Sequence, residues 1–474
     1  MPASPSRTAA RLRRLRSGSL AEAHALFAPH LAFESRAGPS PAEGLRPAAG
    51  ERDRLYCGAR TFWLFLWQIL SGNLSCSETV QSALAWLSLE TGQKASANTA
   101  AYCKARARLE RVALARAAER IAGDLERLAQ DDRWRGRRVR LVDGTGLSMP
   151  DTPQNQRDFP QSKRQKPGCG FPLLRLVVLF SLASGALVRA AWGSLAVAER
   201  TLFRQLWGDL QSGDLLVADR GFCGFADFWM LLQRGVDCLM RNHQRRSAGQ
   251  RTLKRLGKSD HLVAWRKTGP CPQWLDRAIW AAMPEELTVR QIEVAVEIQG
   301  FRTRKIVLVT TLLDARRFPR ASFAALYRRR WLAELFLRDI KISIGMDVLK
   351  CKTPEMVLKE LQMYLIAYNL IRGLMLQAAR IHGAEPLHLS FKRTADALRQ
   401  WAPLIHGVRS RRKAMERLKD SLLYYIARLR LPDRPNRIEP RAIKRRGKNY
   451  QWLNKPRREF REIAHRNKYR AGLS

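Results

Sequence analysis

Three acidic residues, two of them beside glycines, are the groups in this sequence that could do chemistry. Asp143 and Asp219 each follow a run of apolar residues and precede a glycine at once or after one residue. Glu334 lies in a segment with helical spacing that also carries cations and a phenol. Carboxylate oxygens are hard ligands that suit Mg²⁺ or Mn²⁺. Three of them together would hold ions of the kind that promote phosphoryl transfer.

The residues around Glu334 are spaced to share one face of a helix. At 100° per residue, Tyr327, Arg330, Glu334 and Lys341 all project within about 60° of one another. A surface ladder of i,i+4 ion pairs produces the same spacing, and geometry alone favours that alternative. An isolated aspartate after a strand is likewise more often a turn former than a ligand. The occurrence of all three acids in one basic chain favours a divalent-cation site over these alternatives.

The composition indicates a polyanionic partner. The 474 residues include 85 Lys and Arg against 42 Asp and Glu, which gives a formal net charge of +43. Such an excess binds phosphates and releases their counterions, so a nucleic acid is the expected partner. An arginine bias from a GC-rich genome is an alternative contribution, but it would not by itself deplete the acids twofold.

Other features argue against several classes of protein. The eight cysteines include no CxxC and the histidines no HExxH, so we expect neither a disulfide framework nor a zinc site. The apolar run from Phe171 to Val188 contains Arg175 and Gly185, which predicts two buried strands and no membrane span. Met1 to Gly18 is rich in arginine and serine and lacks the apolar segment of a secretory signal. We therefore expect no membrane partner.

The elements before Asp143 are predicted to be helical. Residues 60–130 have helical spacing, with Ser77 as an N-cap and one continuous helix from Thr99 to Leu128. Two helices around a glycine-containing turn, the second one basic, resemble a helix-turn-helix, although an ordinary helical hairpin fits the pattern as well. The cations of the second helix that are candidates for DNA contact are Lys104, Arg106 and Arg108.

From residue 136 the hydrophobic period changes to that of an α/β domain. Arg138 to Val142 predicts a strand that ends at Asp143, and Leu215 to Ala218 predicts one that ends at Asp219. Three strands in series, followed by helix, strand, helix and strand, is the order expected of a ribonuclease-H-like α/β core. Ligand groups gather outside strand ends in open sheets of this kind. The two aspartates are therefore expected to meet.

The expected domain organisation has six segments. Residues 243–300 have short alternating runs that predict a mostly β insertion, and helices follow at about 320–343 and 355–380, the second capped by Thr353 and Pro354. In order, we expect a basic, partly ordered arm with one helix near Leu20 to Phe33 (1–50), a helical N-terminal DNA-binding domain (51–134), the first part of the catalytic core (135–242), a β-rich insertion (243–312), the second part of the core (313–382) and a helical and basic C-terminal region (383–474).

The motifs as a set resemble one family. The spacing Tyr327-x2-Arg330-x3-Glu334-x6-Lys341 resembles the Y-R-E-K signature of DDE transposases of insertion-sequence family four. The similarity extends to Asp143-Gly-Thr, to Ala218-Asp219-Arg220-Gly221-Phe222 and, after the glutamate, to Gly345-Met346-Asp347. These motifs occur in order over about residues 135–380. The fold that the resemblance implies is a ribonuclease-H-like core with a β insertion between the second aspartate and the glutamate.

The resemblance also implies roles for individual residues. Asp143, Asp219 and Glu334 match a metal-binding triad that holds two Mg²⁺ ions, for which Mn²⁺ can substitute. The matches to positions that contact DNA phosphates near the cut are Tyr327, Arg330 and Lys341, with Arg220 as a possible addition. In some relatives a tryptophan of the insertion stacks on a flipped base. The candidates here are Trp265, Trp274 and Trp280, for which packing in a small β core is the alternative.

The implied function is transposition of an insertion sequence in the bacterial cytoplasm, in association with the nucleoid. The chain would bind terminal inverted repeats as a homodimer, cut double-stranded DNA at these ends and join it to target DNA. One alternative is a nuclease or domesticated relative that cuts without joining. Another is a DNA-binding protein without catalysis, such as a repressor. An RNA-binding protein is a further alternative, and the lack of RRM, KH or zinc-knuckle patterns counts against it.

Overall fold

A computed structural model describes residues 55–92, 94–242, 250–295, 305–408 and 411–432, together with Pro456 and Glu459. The predicted basic arm at 1–50, with its helix near Leu20 to Phe33, and most of the basic tail from about Asn436 lie outside the described residues. Within the described ranges, no helix has both the length and the apolar character needed to cross a membrane.

Four helices precede the sheet, as the spacing over 60–130 predicted. They are α1 (Gly58–Leu70), α2 (Cys76–Thr91), α3 (Ala100–Arg108) and α4 (Arg111–Leu128). The prediction of Ser77 as the N-cap of α2 is wrong. Ser75 caps it instead, because Glu78 stands three residues later and completes a reciprocal capping box, with the Ser75 N–H donating to Glu78 at 2.7 Å.

The single helix predicted from Thr99 to Leu128 is also wrong. Leu109 and Glu110 both have extended ψ angles near 128°, which ends α3 and starts α4 in a new direction. Leu109 turns to pack against the main hydrophobic cluster. The amphipathic spacing continues through the break, so the pattern alone did not reveal it.

A nine-stranded mixed sheet forms the centre of the molecule, and the predicted α/β class is confirmed. Its strand order is β3-β2-β1-β4-β5-β9-β8-β7-β6. The strands are β1 (Arg138–Ser148), β2 (Leu173–Ser181), β3 (Leu187–Ser194), β4 (Asp214–Ala218), β5 (Asp237–Arg241), β6 (Arg251–Gly257), β7 (Asp260–Arg266), β8 (Glu286–Ala295) and β9 (Lys305–Thr310). Strands β1, β4 and β5 run parallel, and every other neighbouring pair is antiparallel.

Helices cover both faces of this sheet. They are α5 (Pro153–Asp158), α6 (Glu199–Gln205), α7 (Phe225–Gln233), α8 (Arg277–Ala282), α9 (Arg320–Arg328), α10 (Trp331–Arg338), α11 (Pro354–His382), α12 (Phe391–Gly407) and α13 (Arg412–Ile426). Along β1, Leu141 packs with α10 and α11, whereas Val142 packs with α6 and α7. Because side chains alternate along a strand, these two helix layers lie on opposite faces.

The long helix α11 is the buried axis of one of these layers. It begins as predicted, with the Thr353 hydroxyl accepting from the Met356 N–H and Pro354 in the first turn. It ends at Gly383, which has the left-handed conformation (φ 62°) that a helix C-cap favours. Residues on all its sides are buried along most of its length, so α11 anchors α1, α4 and α13 to the sheet.

Two predicted boundaries near the acidic residues are wrong. Strand β1 does not end before Asp143 but continues to Ser148, because these residues keep their antiparallel pairing with β2. The helix predicted over 320–343 is divided into α9, α10 and a π-helical turn at Asp339–Ser343. The division at Arg329 and Arg330 follows from N–H bonds to carbonyls three residues back, which tighten the turn locally.

Candidate active site

Asp143 and Asp219 occupy corresponding positions on two parallel strands, just beyond the point where the strands separate. Strand β1 pairs with β4 up to Leu141 and Val217, and that register carried two residues further sets Asp143 abreast of Asp219. Asp219 directly follows β4, whereas β1 continues with β2 as its remaining neighbour. Both aspartates are half-buried at this opening in the sheet.

Arg330 connects the third acid to the two aspartates. Its Nη2 donates a hydrogen bond of 2.7 Å to Glu334 Oε1, one turn further along the chain. Burial acts to lower the pKa of Arg330, but the bond to Glu334 and the charges of Glu334 and Asp219 raise it above its ordinary value. The guanidinium also acts on Asp143. One cation thus lies among three carboxylates.

Burial and the neighbouring charges together set the pKa of Asp143. Burial raises the pKa of Asp143 to about 6, and the charges of Glu334 and Glu199 add to the rise. The Gly144 N–H, which donates to Asp143 Oδ1 at 2.8 Å, and the charge of Arg330 act in the opposite direction. Burial is thus the main cause of the raised pKa, and a further positive charge beside Asp143 would favour its ionised form.

Tyr327 and Lys341 border the same opening from either side of Glu334. Burial raises the pKa of Tyr327 well above its ordinary value, with a further rise from Asp219, so the phenol keeps its proton. The Lys341 ammonium donates to Thr145 Oγ1 at 3.2 Å and pairs with Asp347 at 2.8 Å. The helix that carries the signature positions is divided, with Lys341 beside β1 and Tyr327 within reach of the charge of Asp219.

The carboxylates fit a divalent cation in chemistry but are not arranged around one. Within the described ranges, no group of three or more His, Cys, Asp or Glu side chains has the arrangement of a metal site. Glu334 instead accepts from Arg330, whose guanidinium acts as the counter-ion. Three carboxylate side chains match the oxygen-ligand preference of Mg²⁺ or Mn²⁺.

Comparison with known proteins identifies the family. A family model described as "Transposase DDE domain" matches residues 134–370. The transposase InsG for insertion sequence element IS4 of Escherichia coli (strain K12) is 30% identical over 356 residues, which are 74% of this chain and 77% of that protein. The chain belongs to the DDE transposases of insertion-sequence family four. The resemblance found in the sequence is thereby confirmed.

A weaker likeness links this transposase to a cryo-EM structure of the piggyBac transposase synaptic complex with hairpin DNA. The two chains share 8% sequence identity at a TM-score of 0.40, over 92% of this chain and 88% of that one. The match is too distant to bear on the fold or function of this transposase.

The predicted DNA-contact residues outside the signature have different environments. Lys104 and Arg108 are exposed on α3, and Arg220 is exposed in the 3-10 turn after Asp219. Arg106 is only 8% exposed. It donates to Gln68 Oε1 at 3.0 Å and lies over the Phe65 ring at 4.5 Å. A side chain held in this way leaves no cation at the surface for a DNA phosphate.

The three candidate tryptophans also differ. Trp265 is 2% exposed and packs edge-on against Phe228, with ring centroids 5.0 Å apart, so neither ring face is open to a base. Trp274 is half-buried, with the Arg204 guanidinium 3.7 Å from its ring centroid. Trp280 is half-buried beside Lys267. Packing accounts for Trp265, while the other two keep partly open surfaces.

One acidic residue near the opening was missed in the sequence. Glu199, the first residue of α6, lies against Gly144 and contributes to the electrostatics of Asp143. No spacing rule relates it to the other acids, because it reaches them through the fold from a different helix. The helix-initial position after β3 was the available signal, and it is shared by many glutamates that only favour helix N-termini.

Proposed function

We propose that this transposase binds the terminal inverted repeats of an insertion sequence, cleaves phosphodiesters at the ends and joins them to target DNA by two-metal-ion phosphoryl transfer. The observation that carries the proposal is the alignment of Asp143 with Asp219 where β1 and β4 part, with Glu334 one hydrogen bond away from the arginine between them. A ribonuclease-H-like core is supported by the order β3-β2-β1-β4-β5 with β1, β4 and β5 parallel.

In this proposal the three carboxylates hold the cations. Asp143, Asp219 and Glu334 would bind two Mg²⁺ ions, for which Mn²⁺ can substitute. Such ions, when bound, activate an attacking oxygen and stabilise the leaving oxygen of an in-line displacement. Glu334 Oε1 accepts from the Arg330 guanidinium, so a cation bound by this carboxylate would compete with that hydrogen bond.

The cations and the phenol would position DNA. Once released from Glu334, the Arg330 guanidinium can donate two parallel bonds to a phosphate. Lys341 adds a point charge beside β1, and Tyr327, which keeps its proton, donates one hydrogen bond. Arg220 is exposed directly after Asp219 and can contact the same strand of DNA.

Recognition of the transposon ends is assigned to regions outside the core. We propose contacts from the helical domain at 51–134, where Lys104 and Arg108 are exposed, and from the insertion at 243–312, with Trp274 or Trp280 as the base-stacking residue. The core would comprise residues 135–242 and 313–382. A homodimer is proposed for the end-bound complex, because two ends must be held together, and the nucleoid is its proposed location in the cytoplasm.

The decisive experiment separates binding, cutting and joining. The inverted repeats that flank the gene supply a labelled end duplex, which is incubated with full-length protein, a target plasmid and Mg²⁺ or EDTA. Metal-dependent cleavage with joined product, both lost in Glu334→Gln while DNA binding remains, is the expected result. Glu416→Gln is the matched control, because Glu416 also accepts from an arginine four residues before it, Arg412, but on α13.

The other outcomes distinguish the alternatives. Cleavage without joining would indicate a nuclease. DNA binding without chemistry in either Mg²⁺ or Mn²⁺ would contradict the enzymatic proposal and leave a DNA-binding protein on a transposase fold.

A further inference from the structure

A short motif that follows the signature lysine folds back onto it. The segment Gly345-Met346-Asp347 lies just beyond the π-helical turn that carries Lys341. Gly345 has a left-handed conformation (φ 87°), and the Asp347 N–H then donates to the Lys341 carbonyl at 3.2 Å. The Asp347 carboxylate pairs with the Lys341 ammonium at 2.8 Å. The proposed function uses the lysine of this pair and leaves the acid without a role.

The edge of β1 that β4 leaves holds this motif in place. Strand β1 pairs with β2 up to Ser148, so the bridge between Ser148 and Val348 lies on the opposite edge, which β4 occupies only as far as Leu141. The Ser148 N–H donates to the Asp347 carbonyl at 3.4 Å, and the Ser148 carbonyl accepts from the Leu349 N–H at 2.9 Å. The backbone of Asp347 is thus fixed on β1, whereas its side chain is 51% exposed.

The Lys341 ammonium has a protein acceptor for each of its N–H groups. It donates to Thr145 Oγ1 and to the Gly146 carbonyl, each at 3.2 Å, and it pairs with Asp347 Oδ1 at 2.8 Å. A lysine ammonium has three donors and no more. A DNA phosphate can therefore accept from Lys341 only by replacing one of these acceptors.

The Asp347 carboxylate is the acceptor that a phosphate would replace. The Gly146 carbonyl belongs to the backbone of β1, and the Thr145 hydroxyl is uncharged and does not repel a phosphate. The Asp347 carboxylate is negative, so it repels an approaching phosphate, and its exposed side chain can rotate away. Ion pairs with exposed members are weak, so the exchange costs little DNA affinity.

We propose that Asp347 holds the Lys341 ammonium while no DNA is bound, and that a backbone phosphate of the bound DNA takes its place. Asp347 is then a positioning residue that acts through Lys341. The inference rests on the proposed function, in which Lys341 contacts a DNA phosphate. It adds that this contact forms by exchange of one anion for another on the same ammonium.

Binding of the labelled end duplex to the full-length protein in EDTA tests the exchange without relying on activity. Fluorescence anisotropy gives the Kd of wild type, Asp347→Asn, Lys341→Gln and the double variant. Asp347→Asn should bind about two- to fivefold more tightly than wild type, because the phosphate no longer competes with an exposed ion pair. In the Lys341→Gln background the same change should have little effect.

Asp396→Asn is the matched control for the loss of one negative charge. Asp396 on α12 pairs with Arg399 at 2.8 Å, and the two side chains are 51% and 23% exposed, as are those of Asp347 and Lys341. We expect little change in Kd for this variant. An equal gain in Asp396→Asn and Asp347→Asn would contradict a specific exchange.

A change in the DNA distinguishes the exchange from a merely structural effect of Asp347→Asn. Duplexes are prepared that each carry one neutral methylphosphonate linkage near the end. One linkage should weaken binding by wild type and leave binding by Lys341→Gln unchanged. At that linkage the advantage of Asp347→Asn over wild type should disappear, because no charged phosphate is there to replace the carboxylate. An advantage that persists at every linkage would contradict the proposal.

The outcomes separate the failure of this inference from that of the proposed function. If Lys341→Gln responds to every linkage as wild type does, Lys341 contacts no phosphate, and this inference fails together with that part of the proposed function. If Lys341 responds to one linkage but Asp347→Asn gains no affinity, the exchange is overturned and the lysine contact stands. An equal gain from Asp347→Asn in the Lys341→Gln background would also overturn the exchange alone.

Discussion

Arg330 is the residue on which the state of the site depends. Its guanidinium donates a hydrogen bond of 2.7 Å to Glu334 and interacts electrostatically with Asp143 and Asp219. A cation that neutralised these carboxylates would free the guanidinium for a DNA phosphate. The same side chain can therefore stabilise the metal-free site and bind substrate in the metal-bound one.

Arg330→Lys tests this second role. Lysine keeps the charge but loses the planar fork that binds a phosphate through two bonds. We expect end cleavage to fall about tenfold or more, consistent with the loss of a charged hydrogen bond, measured as the single-turnover rate at saturating Mg²⁺. Arg412→Lys, in the comparable i,i+4 pair of α13, should leave the rate unchanged. Equal rates for Arg330→Lys and wild type would contradict a phosphate contact.

Asp143 should make the stability of the metal-free protein depend on pH. Its folded pKa of about 6 is raised above the ordinary value, so the fold favours the protonated acid. The stability that this contributes is present at about pH 4 and is lost as pH rises through 6. Asp143→Asn should therefore exceed wild type in unfolding free energy by about 1–3 kcal/mol at pH 8 in EDTA, and should not do so at pH 4.

Thermal unfolding followed by circular dichroism at the two pH values measures this difference. Asp276→Asn, a change to an exposed helix cap, serves as the control for removing an aspartate far from the opening. A difference between Asp143→Asn and wild type that is the same at both pH values would contradict the raised pKa.

At the scale of elements, the sequence predicted which strands and helices exist better than where they end. Asp143 was placed after a strand because glycines follow it, but pairing with β2 carries β1 past both glycines to Ser148. The apolar period around Glu334 predicts one continuous helix. That period does not change at Arg330, where i,i+3 bonds tighten the turn. Pairing with β2 decided the first boundary and local i,i+3 bonds decided the second, and the hydrophobic pattern of a single sequence shows neither.

Side-chain burial was the second limit of prediction. Arg106 has the spacing of a surface cation, yet Gln68 and the Phe65 ring hold it inside. Glu199 has no spacing that relates it to Gly144, yet α6 brings its side chain against that residue. The family was predictable, because short motifs in order along the chain identify it, whereas the metal-binding role of the three acids stays a prediction.

A buried ion pair links the far strands of the sheet to the helix before Glu334. Arg290 is fully buried, donates to Asp260 at 2.7 Å and also donates to the Phe318 carbonyl at 2.8 Å, just before α9. Arg290→Met would leave the Asp260 carboxylate buried without a partner, so we expect a loss of about 3–5 kcal/mol in unfolding free energy.

Denaturant unfolding of Arg290→Met measures that loss. Arg251→Met is the control, because Arg251 pairs with Glu286 while it is largely exposed, and such pairs contribute about 0–1 kcal/mol. Comparable small losses for both variants would contradict the anchoring role of Arg290.

At the scale of the whole molecule, the net charge of +43 predicts strongly salt-dependent DNA binding. Lys104→Gln combined with Arg108→Gln should reduce the slope of log affinity against log salt by about 0.9 for each lost phosphate contact. Arg106→Met should leave that slope unchanged and lower the unfolding temperature, since Arg106 is buried. A reduced slope in Arg106→Met with no change in the double variant would place the DNA contact elsewhere. Fluorescence anisotropy with the end duplex measures the slope for wild type and for both variants, and thermal unfolding measures the change in Arg106→Met.

The central claim, that Asp143, Asp219 and Glu334 share one cation site, is tested most directly by locating the cation. Fe²⁺ bound to the full-length protein in place of Mg²⁺, with ascorbate and peroxide, cuts the chain near the ion, and mass spectrometry identifies the cuts. We expect cuts close to all three residues that excess Mg²⁺ suppresses and Glu334→Gln weakens. Cuts that cluster elsewhere, or that persist unchanged in Glu334→Gln, would contradict the account.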